Sequence, residues 1–266
     1  MADARKAVRQ RLESLSRAGV TNVPKRARRA SAATAEKAGT QEAVAATPSA
    51  KASTRAAAAL PKVVEMRDVG PLPLADRIAA LDVVRDKVSH CMRCPELCTT
   101  RKQTVFGVGN PQARLCFLGE APGADEDAQG EPFVGRAGQL LTKIIEACTL
   151  KRSDVFIFNT LKCRPPGNRP PLPAEVENCS EYLDAQLAII RPEFVCCLGA
   201  VAAKAFFGDE KLSISRIRGK FQTHRGVQVM CTYHPAYLLR NPEAKRDVWD
   251  DMKVLMRAMG IDLEKK

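Results

Sequence analysis

Four short apolar runs, each ending at a polar or glycine-containing turn, constrain the fold of this chain more than any other feature. They are residues 115–118, 155–158, 194–198 and 227–232. Helical apolar patterns occur at residues 74–88, 138–148, 173–190, 200–207 and 245–259. Strands that alternate with helices favour a parallel sheet with helices on both faces. The sequence therefore predicts a three-layer α/β/α sandwich with a mostly parallel, four-stranded sheet.

Chemically distinctive residues follow each of these four runs. Glu120, Asn159, Gly199 and His234 come directly, or within two residues, after the predicted strands. In an open α/β sheet, ligands bind in the crevice beyond the carboxyl ends of the strands. We therefore expect these residues to line one shared cleft.

The N-terminal segment differs in composition from the rest of the chain. Residues 1–60 contain 12 Lys and Arg against 4 Asp and Glu, and no aromatic residue. Such a segment buries too little apolar surface to offset its conformational entropy. We predict a disordered basic extension over residues 1–70 and one globular domain over residues 71–266.

The basic run at residues 25–29 allows three interpretations. It fits an arm that raises non-specific affinity for a polyanion, a solvated tail without a partner, or an Arg-rich transit peptide, against which Asp3 and Glu13 count. The sequence has no run of 18 apolar residues, so we expect a soluble protein that does not interact with membranes.

Four of the ten cysteines are spaced as metal ligands. Cys91 and Cys94 form a C-x2-C pair, and Cys163 and Cys179 lie 16 positions apart farther along the chain. This spacing fits a zinc ion or an iron–sulfur cluster, and it does not separate them; buried thiols are the alternative. Cys98 is ambiguous, and the other cysteines fall within predicted strands or at a helix end, where a small thiol packs well.

Several motifs occur in a fixed order between the helical patterns. They are Gly119-Glu120-Ala121-Pro122-Gly123, Pro132-Phe133-Val134-Gly135, Asn159-Thr160-Leu161-Lys162-Cys163-Arg164-Pro165-Pro166 and His234-Pro235-Ala236. With the four spaced cysteines, this ordered set resembles the family 4 uracil-DNA glycosylases over about residues 75–260. The resemblance does not include the N-terminal extension.

This resemblance implies an enzyme that hydrolyses the N-glycosidic bond of uracil in single- or double-stranded DNA. Free uracil and an abasic site would result, and base excision repair would begin there. The resemblance also implies a [4Fe–4S] cluster on Cys91, Cys94, Cys163 and Cys179. We expect a cytoplasmic, nucleoid-associated monomer whose N-terminal tail is a candidate contact for a repair or replication protein.

The resemblance also assigns roles to individual residues. The catalytic positions are Glu120, Glu126, Asn168 and His234, and the uracil-binding positions are Ala121, Phe133, Asn159 and His234. Asn159 would read the Watson–Crick edge of a flipped uracil, Phe133 would stack on its ring, and His234 would donate a hydrogen bond to O2. Ala121 stands where the better-known glycosylases place an Asp, so no carboxylate occupies that place. Glu120 is the candidate for ordering the pocket or the water, and Glu126 for positioning the water or for loop structure.

Six residues near the predicted cleft are candidate DNA contacts. Five are cations that would contact phosphates: Arg136, Lys162, Arg164, Arg169 and Arg240. The sixth, Leu238, would insert as a wedge into the emptied base stack, and Leu239 is equally suited to this by sequence. Core packing is the alternative for both leucines.

Two rival functions are compatible with parts of the sequence. A covalent uracil-DNA-binding relative would need a basic insertion with a histidine near Asn159, and residues 163–170 contain none. A non-catalytic iron–sulfur or zinc DNA-binding protein would explain the cysteines and the tail. It would leave the convergence of Glu120, Asn159 and His234 without a purpose.

Overall fold

The computed structural model describes residues 72–263. The predicted disordered extension, residues 1–70, lies outside the described residues, as does its basic run.

The described residues form one six-stranded sheet. Its strands are β1 (Val108–Gly109), β2 (Leu115–Gly119), β3 (Phe156–Asn159), β4 (Phe194–Leu198), β5 (Phe221–His224) and β6 (Val227–Thr232), in the order β1-β3-β2-β4-β6-β5. The central strands β3, β2, β4 and β6 are parallel, and they are the four predicted strands. The prediction of four strands was short by two, because an antiparallel strand is added at each edge.

The helices lie between the strands as predicted, with several short ones added. They are α1 (Leu74–Ser89), α2 (Pro95–Thr100), α3 (Ala124–Gln129), α4 (Arg136–Ala147), α5 (Pro173–Ile190), α6 (Ala200–Phe207), α7 (Ile214–Ile217), α8 (Pro235–Arg240) and α9 (Ala244–Ala258), with 3-10 turns at Arg152–Asp154 and Pro166–Asn168. None of the helices within residues 72–263 is long and apolar enough to cross a membrane.

Strand residues alternate between two apolar cores, because successive side chains of a strand point to opposite faces. On one face, Cys116, Phe158 and Cys197 pack with residues of α1, α5 and α6. On the other, Phe117 and Ile157 pack with residues of α4, α8 and α9. Both sheet faces are therefore covered, which confirms the three-layer α/β/α architecture.

Candidate active site

The candidate site lies at the carboxyl ends of the parallel strands. Gly119 ends β2 and is paired in register with Asn159, which ends β3. Gly199 follows β4, and its N–H donates to the Thr232 carbonyl at the end of β6, at 2.8 Å. A Cβ built on Gly199 would lie 2.9 Å from the Cβ of His234. The sheet thus brings four segments that are distant in sequence to one edge.

Three predicted uracil-binding side chains meet at this edge. A Cβ on Gly119 would lie 2.3 Å from Asn159 Oδ1 and 2.5 Å from Phe133 Cζ, so the amide and the ring are next to the same point. The rings of Phe133 and His234 have centroids 5.6 Å apart and planes at 31°. An amide, an aromatic face and an imidazole therefore border one small region.

Asn159 carries a hydrogen-bond acceptor with no partner. Its side chain is 2% exposed, and Oδ1 is buried without a hydrogen bond among the described residues. Buried polar atoms are nearly always paired in native proteins, and an unpaired one costs about 1–3 kcal/mol. This arrangement fits an acceptor reserved for a ligand that donates a hydrogen bond.

Glu126 fixes the backbone that carries Phe133. Its Oε1 accepts hydrogen bonds from the N–H groups of Val134 and Gly135, both at 3.0 Å, and its Oε2 accepts from Gly123 N–H at 3.0 Å. Phe133 itself has a φ of 54°, a left-handed conformation that is uncommon for a non-glycine residue. With both carboxylate oxygens bonded to the loop, this geometry favours the structural role predicted for Glu126 over water activation.

Replacement of Glu126 by Gln is expected to reduce the free energy of unfolding by about 1–2 kcal/mol. An amide NH2 would face a backbone N–H in place of a carboxylate oxygen, and charge-assisted bonds would be lost. Urea denaturation measures the change. The matched control is Glu131→Gln, an exposed carboxylate of the same segment, which should change stability by less than about 0.5 kcal/mol. Equal stabilities of the two variants would contradict the role given to Glu126.

His234 is the N-cap residue immediately before α8, and it holds a defined tautomer. Its Nδ1 accepts a hydrogen bond from the Ala236 N–H at 3.1 Å, so the ring proton of the neutral imidazole is on Nε2. Burial, with a smaller contribution from the charge of Arg240, lowers the pKa of His234 to about 4. At neutral pH the site therefore contains an uncharged imidazole with one N–H donor.

The remaining predicted active-site positions differ in their surroundings. Glu120 is partly buried directly after β2, and this burial raises the pKa of its carboxyl group. Ala121 is half-buried against the α1-side core. Asn168 is exposed on its 3-10 turn, and its Oδ1 accepts a hydrogen bond from Arg164 at 2.7 Å. Asn168 is therefore not among the side chains that meet over Gly119.

Three of the predicted DNA contacts have surroundings that do not favour that role. Lys162 is 1% exposed and its ammonium lies inside the domain, where no phosphate can reach it. Arg169 is held by Glu175 at 2.7 Å and by Glu96 at 2.8 Å. Leu238 is 1% exposed and belongs to the core on the α9 side, whereas Leu239, the alternative wedge, is 39% exposed.

The other predicted DNA contacts are accessible. Arg136 is exposed at the first residue of α4, directly after the Phe133 segment, and Arg240 is exposed at the end of α8. Arg164 is partly buried and is bonded to Asn168. The two exposed arginines therefore lie close in sequence to Phe133 and His234.

The four spaced cysteines line one small cavity, together with Cys98. Each of three sulfurs accepts a hydrogen bond: Cys163 from Arg101 at 2.9 Å, Cys179 from the Lys162 N–H at 3.4 Å, and Cys94 from the Asn178 amide at 3.5 Å. Within residues 72–263, no three Cys, His, Asp or Glu side chains converge closely enough to hold a single metal ion. The strand and helix-end cysteines are buried in the core, as predicted.

Sequence reasoning missed three residues that support the site. Gly138 touches the backbone of Phe133 so closely that a Cβ there would lie 1.8 Å from the Phe133 carbonyl oxygen. Arg152 donates to the Pro132 carbonyl, and Arg101 to Cys163. A glycine inside a helical pattern was the one available signal, because it often marks a close backbone approach.

Comparison with known proteins agrees with this geometry. The model of the uracil DNA glycosylase superfamily matches residues 106–253. The chain is 46% identical to a type-4 uracil-DNA glycosylase of Archaeoglobus fulgidus over 186 residues, which cover 67% of this chain and 92% of that protein. It is 43% identical to a type-4 enzyme of Thermotoga maritima, covering 65% of this chain and 91% of that protein. This chain therefore belongs to the uracil-DNA glycosylase superfamily, as a member of its type-4 family.

Proposed function

We propose that this protein hydrolyses the N-glycosidic bond of uracil in DNA, releasing uracil and leaving an abasic site for base excision repair. The observation that carries the proposal is the buried, unpartnered Oδ1 of Asn159 beside the rings of Phe133 and His234. The similarity to proteins named type-4 uracil-DNA glycosylases supports it.

Asn159 accounts for the choice of base. The Oδ1 acceptor receives the N3–H of a flipped uracil, and the amide NH2 donates to O4. Cytosine presents an acceptor at N3 and a donor at C4, so it would leave both groups of Asn159 unpaired. Each unsatisfied group costs roughly 1–3 kcal/mol in a dry site. Phe133 stacks on the ring and contributes affinity without distinguishing bases.

His234 accounts for the rate. Cleavage of the glycosidic bond leaves negative charge on O2 of the departing uracil, next to an oxocarbenium-like sugar. The neutral imidazole donates its Nε2–H to O2, since Nδ1 is occupied by the Ala236 N–H. Such a pre-oriented donor lowers the barrier by about 3–4 kcal/mol. We assign the ordering of the attacking water to Glu120, the carboxylate directly after β2.

The lowered pKa of His234 predicts how stability depends on pH. The unfolded imidazole takes up a proton near pH 6.5, whereas the folded one stays neutral down to about pH 4. The free energy of unfolding should therefore fall by about 2–3 kcal/mol as the pH drops through this window, and the contribution of His234 should not vary with pH above it. Urea denaturation of the wild type and His234→Gln across pH 4–8 measures the difference. A constant difference would show that the pKa is not lowered.

The cysteine cavity fits a [4Fe–4S] cluster. Four thiols border it, and N–H groups of Arg101, Asn178 and the backbone donate to their sulfurs, as occurs at iron–sulfur centres. When bound, the cluster would contribute ligation free energy to the fold. Cys91 and Cys94 precede β1, and Cys163 and Cys179 follow β3, so their ligation would join these segments. Four irons per chain with broad visible absorption would support the cluster, and one zinc per chain would refute it.

The direct test is an oligonucleotide assay with the purified full chain. Single- and double-stranded DNA containing one uracil should be cut at that position after alkali treatment, and matched DNA containing cytosine should remain intact. Free uracil should appear in equal amount. An SDS-resistant protein–DNA adduct without turnover, or binding without cleavage, would reject the proposed function. The partner in this proposal is uracil-containing DNA, and Arg136 and Arg240 are its proposed phosphate contacts.

A further inference from the structure

Lys162 is a fully buried cation next to the uracil-reading residue. Its Nζ donates a hydrogen bond to the backbone carbonyl of Asn159 at 2.8 Å. The same ammonium lies 5.2 Å from the centre of the Phe158 ring, a cation–π distance. Its side chain therefore folds back onto the last two residues of β3.

The backbone of Lys162 also contacts the cysteine cavity. Its N–H donates to Cys179 Sγ at 3.4 Å, and the next residue is Cys163. The Lys162 carbonyl accepts from the Val105 N–H at 2.7 Å, which fixes the turn to a third segment. Lys162 thus contacts both the end of β3 and the wall of the cysteine cavity.

Burying an ammonium is costly, and an apolar side chain of similar length would fill the same space at lower cost. Packing alone therefore does not account for a lysine here. What the ammonium adds is a charge-assisted bond to the Asn159 carbonyl, on the residue whose amide must keep a fixed orientation. A shift of about 1 Å in such a group can lower a rate 10²-fold.

We infer that Lys162 is a positioning residue that holds Asn159 in register for uracil and anchors it to the cysteine-lined cavity. This inference rests on the proposed function. Lys162 touches no substrate atom and acts through Asn159.

The test is Lys162→Met, which keeps the buried alkyl chain and removes the ammonium. We expect kcat for uracil release to fall about 10- to 100-fold. Affinity for DNA carrying a 2′-fluorinated deoxyuridine, which resists cleavage, should approach that for the matched cytosine DNA. Iron content should stay at the wild-type value. The control is Lys143→Met, the same substitution on the exposed face of α4, which should leave each quantity unchanged.

A double-mutant cycle separates positioning from general stability. If Lys162 acts through Asn159, adding Lys162→Met to Asn159→Ala should produce no further loss of kcat, whereas independent effects would multiply. Lys162→Gln replaces Lys162→Met in the cycle if the latter does not fold. Multiplying effects, or a single variant with wild-type kcat and uracil preference, would overturn the inference. If the wild type itself releases no uracil, the proposed function fails instead.

Discussion

Replacement of His234 by Ala is expected to lower kcat for uracil release about 10²- to 10³-fold, with a smaller change in KM. The imidazole Nε2–H is the donor that the geometry provides for the charge developing on O2, so its removal affects the transition state more than the bound substrate. Single-turnover rates on uracil-containing oligonucleotides measure the loss. The variant also loses the Nδ1 acceptor for Ala236, so its stability should be measured in parallel.

The matched control is His224→Ala, which makes the same substitution in edge strand β5. His224 packs against Phe206 and Phe207 and pairs with Val227 at the start of β6, away from the carboxyl ends of the parallel strands. This variant should lose some stability and retain a wild-type kcat. If His234→Ala also retained full kcat, the imidazole would have no part in stabilising the leaving group.

Replacement of Gly119 by Ala is expected to reduce kcat/KM at least about 100-fold. The added methyl group would lie 2.3 Å from Asn159 Oδ1 and 2.5 Å from Phe133 Cζ, distances that non-bonded atoms do not tolerate. Either the amide or the ring must move, and both border the base. Steady-state kinetics with uracil-containing DNA and its cytosine counterpart would measure the loss of rate and of base preference together.

Gly260→Ala provides the comparison for Gly119→Ala. Gly260 has a φ of 80° and open space around it, after the end of α9, so an alanine there meets backbone strain without a clash at the site. It should cost about 1 kcal/mol of stability and leave kcat/KM unchanged. A Gly119→Ala enzyme as active as Gly260→Ala would show that Asn159 and Phe133 can move apart without cost.

The parallel core of the fold could be predicted from sequence because its four strands are apolar runs and its long helices have clear periods. The edge strands could not. β1 has only two residues, too few to give a pattern. β5 joins β6 through Arg225-Gly226, whose φ values of 50° and 69° suit a tight hairpin turn, but an arginine is not a residue from which such a turn is predicted. Pairing with a neighbour, and not local sequence, makes these segments strands.

The candidate site, like the fold, could be predicted only in part from sequence. Its strand-end residues could be located because parallel strands bring their carboxyl ends together. The surroundings of the cations could not be predicted from sequence. For example, Arg169 is held by Glu96, 73 positions away in the sequence. Lysine is so rarely buried that Lys162 was assigned to the surface, and Leu238 occupies the buried side of α8 while Leu239 does not. Such differences depend on tertiary neighbours.

The two antiparallel edge strands have a consequence for how copies of this domain meet. A row of unpaired backbone N–H and C=O groups is a template for another chain. Here one margin of the sheet ends in a two-residue strand, and the other folds back on itself as a hairpin. Neither offers a long ladder to a second molecule, so crowding should not drive this domain towards fibre-like stacking.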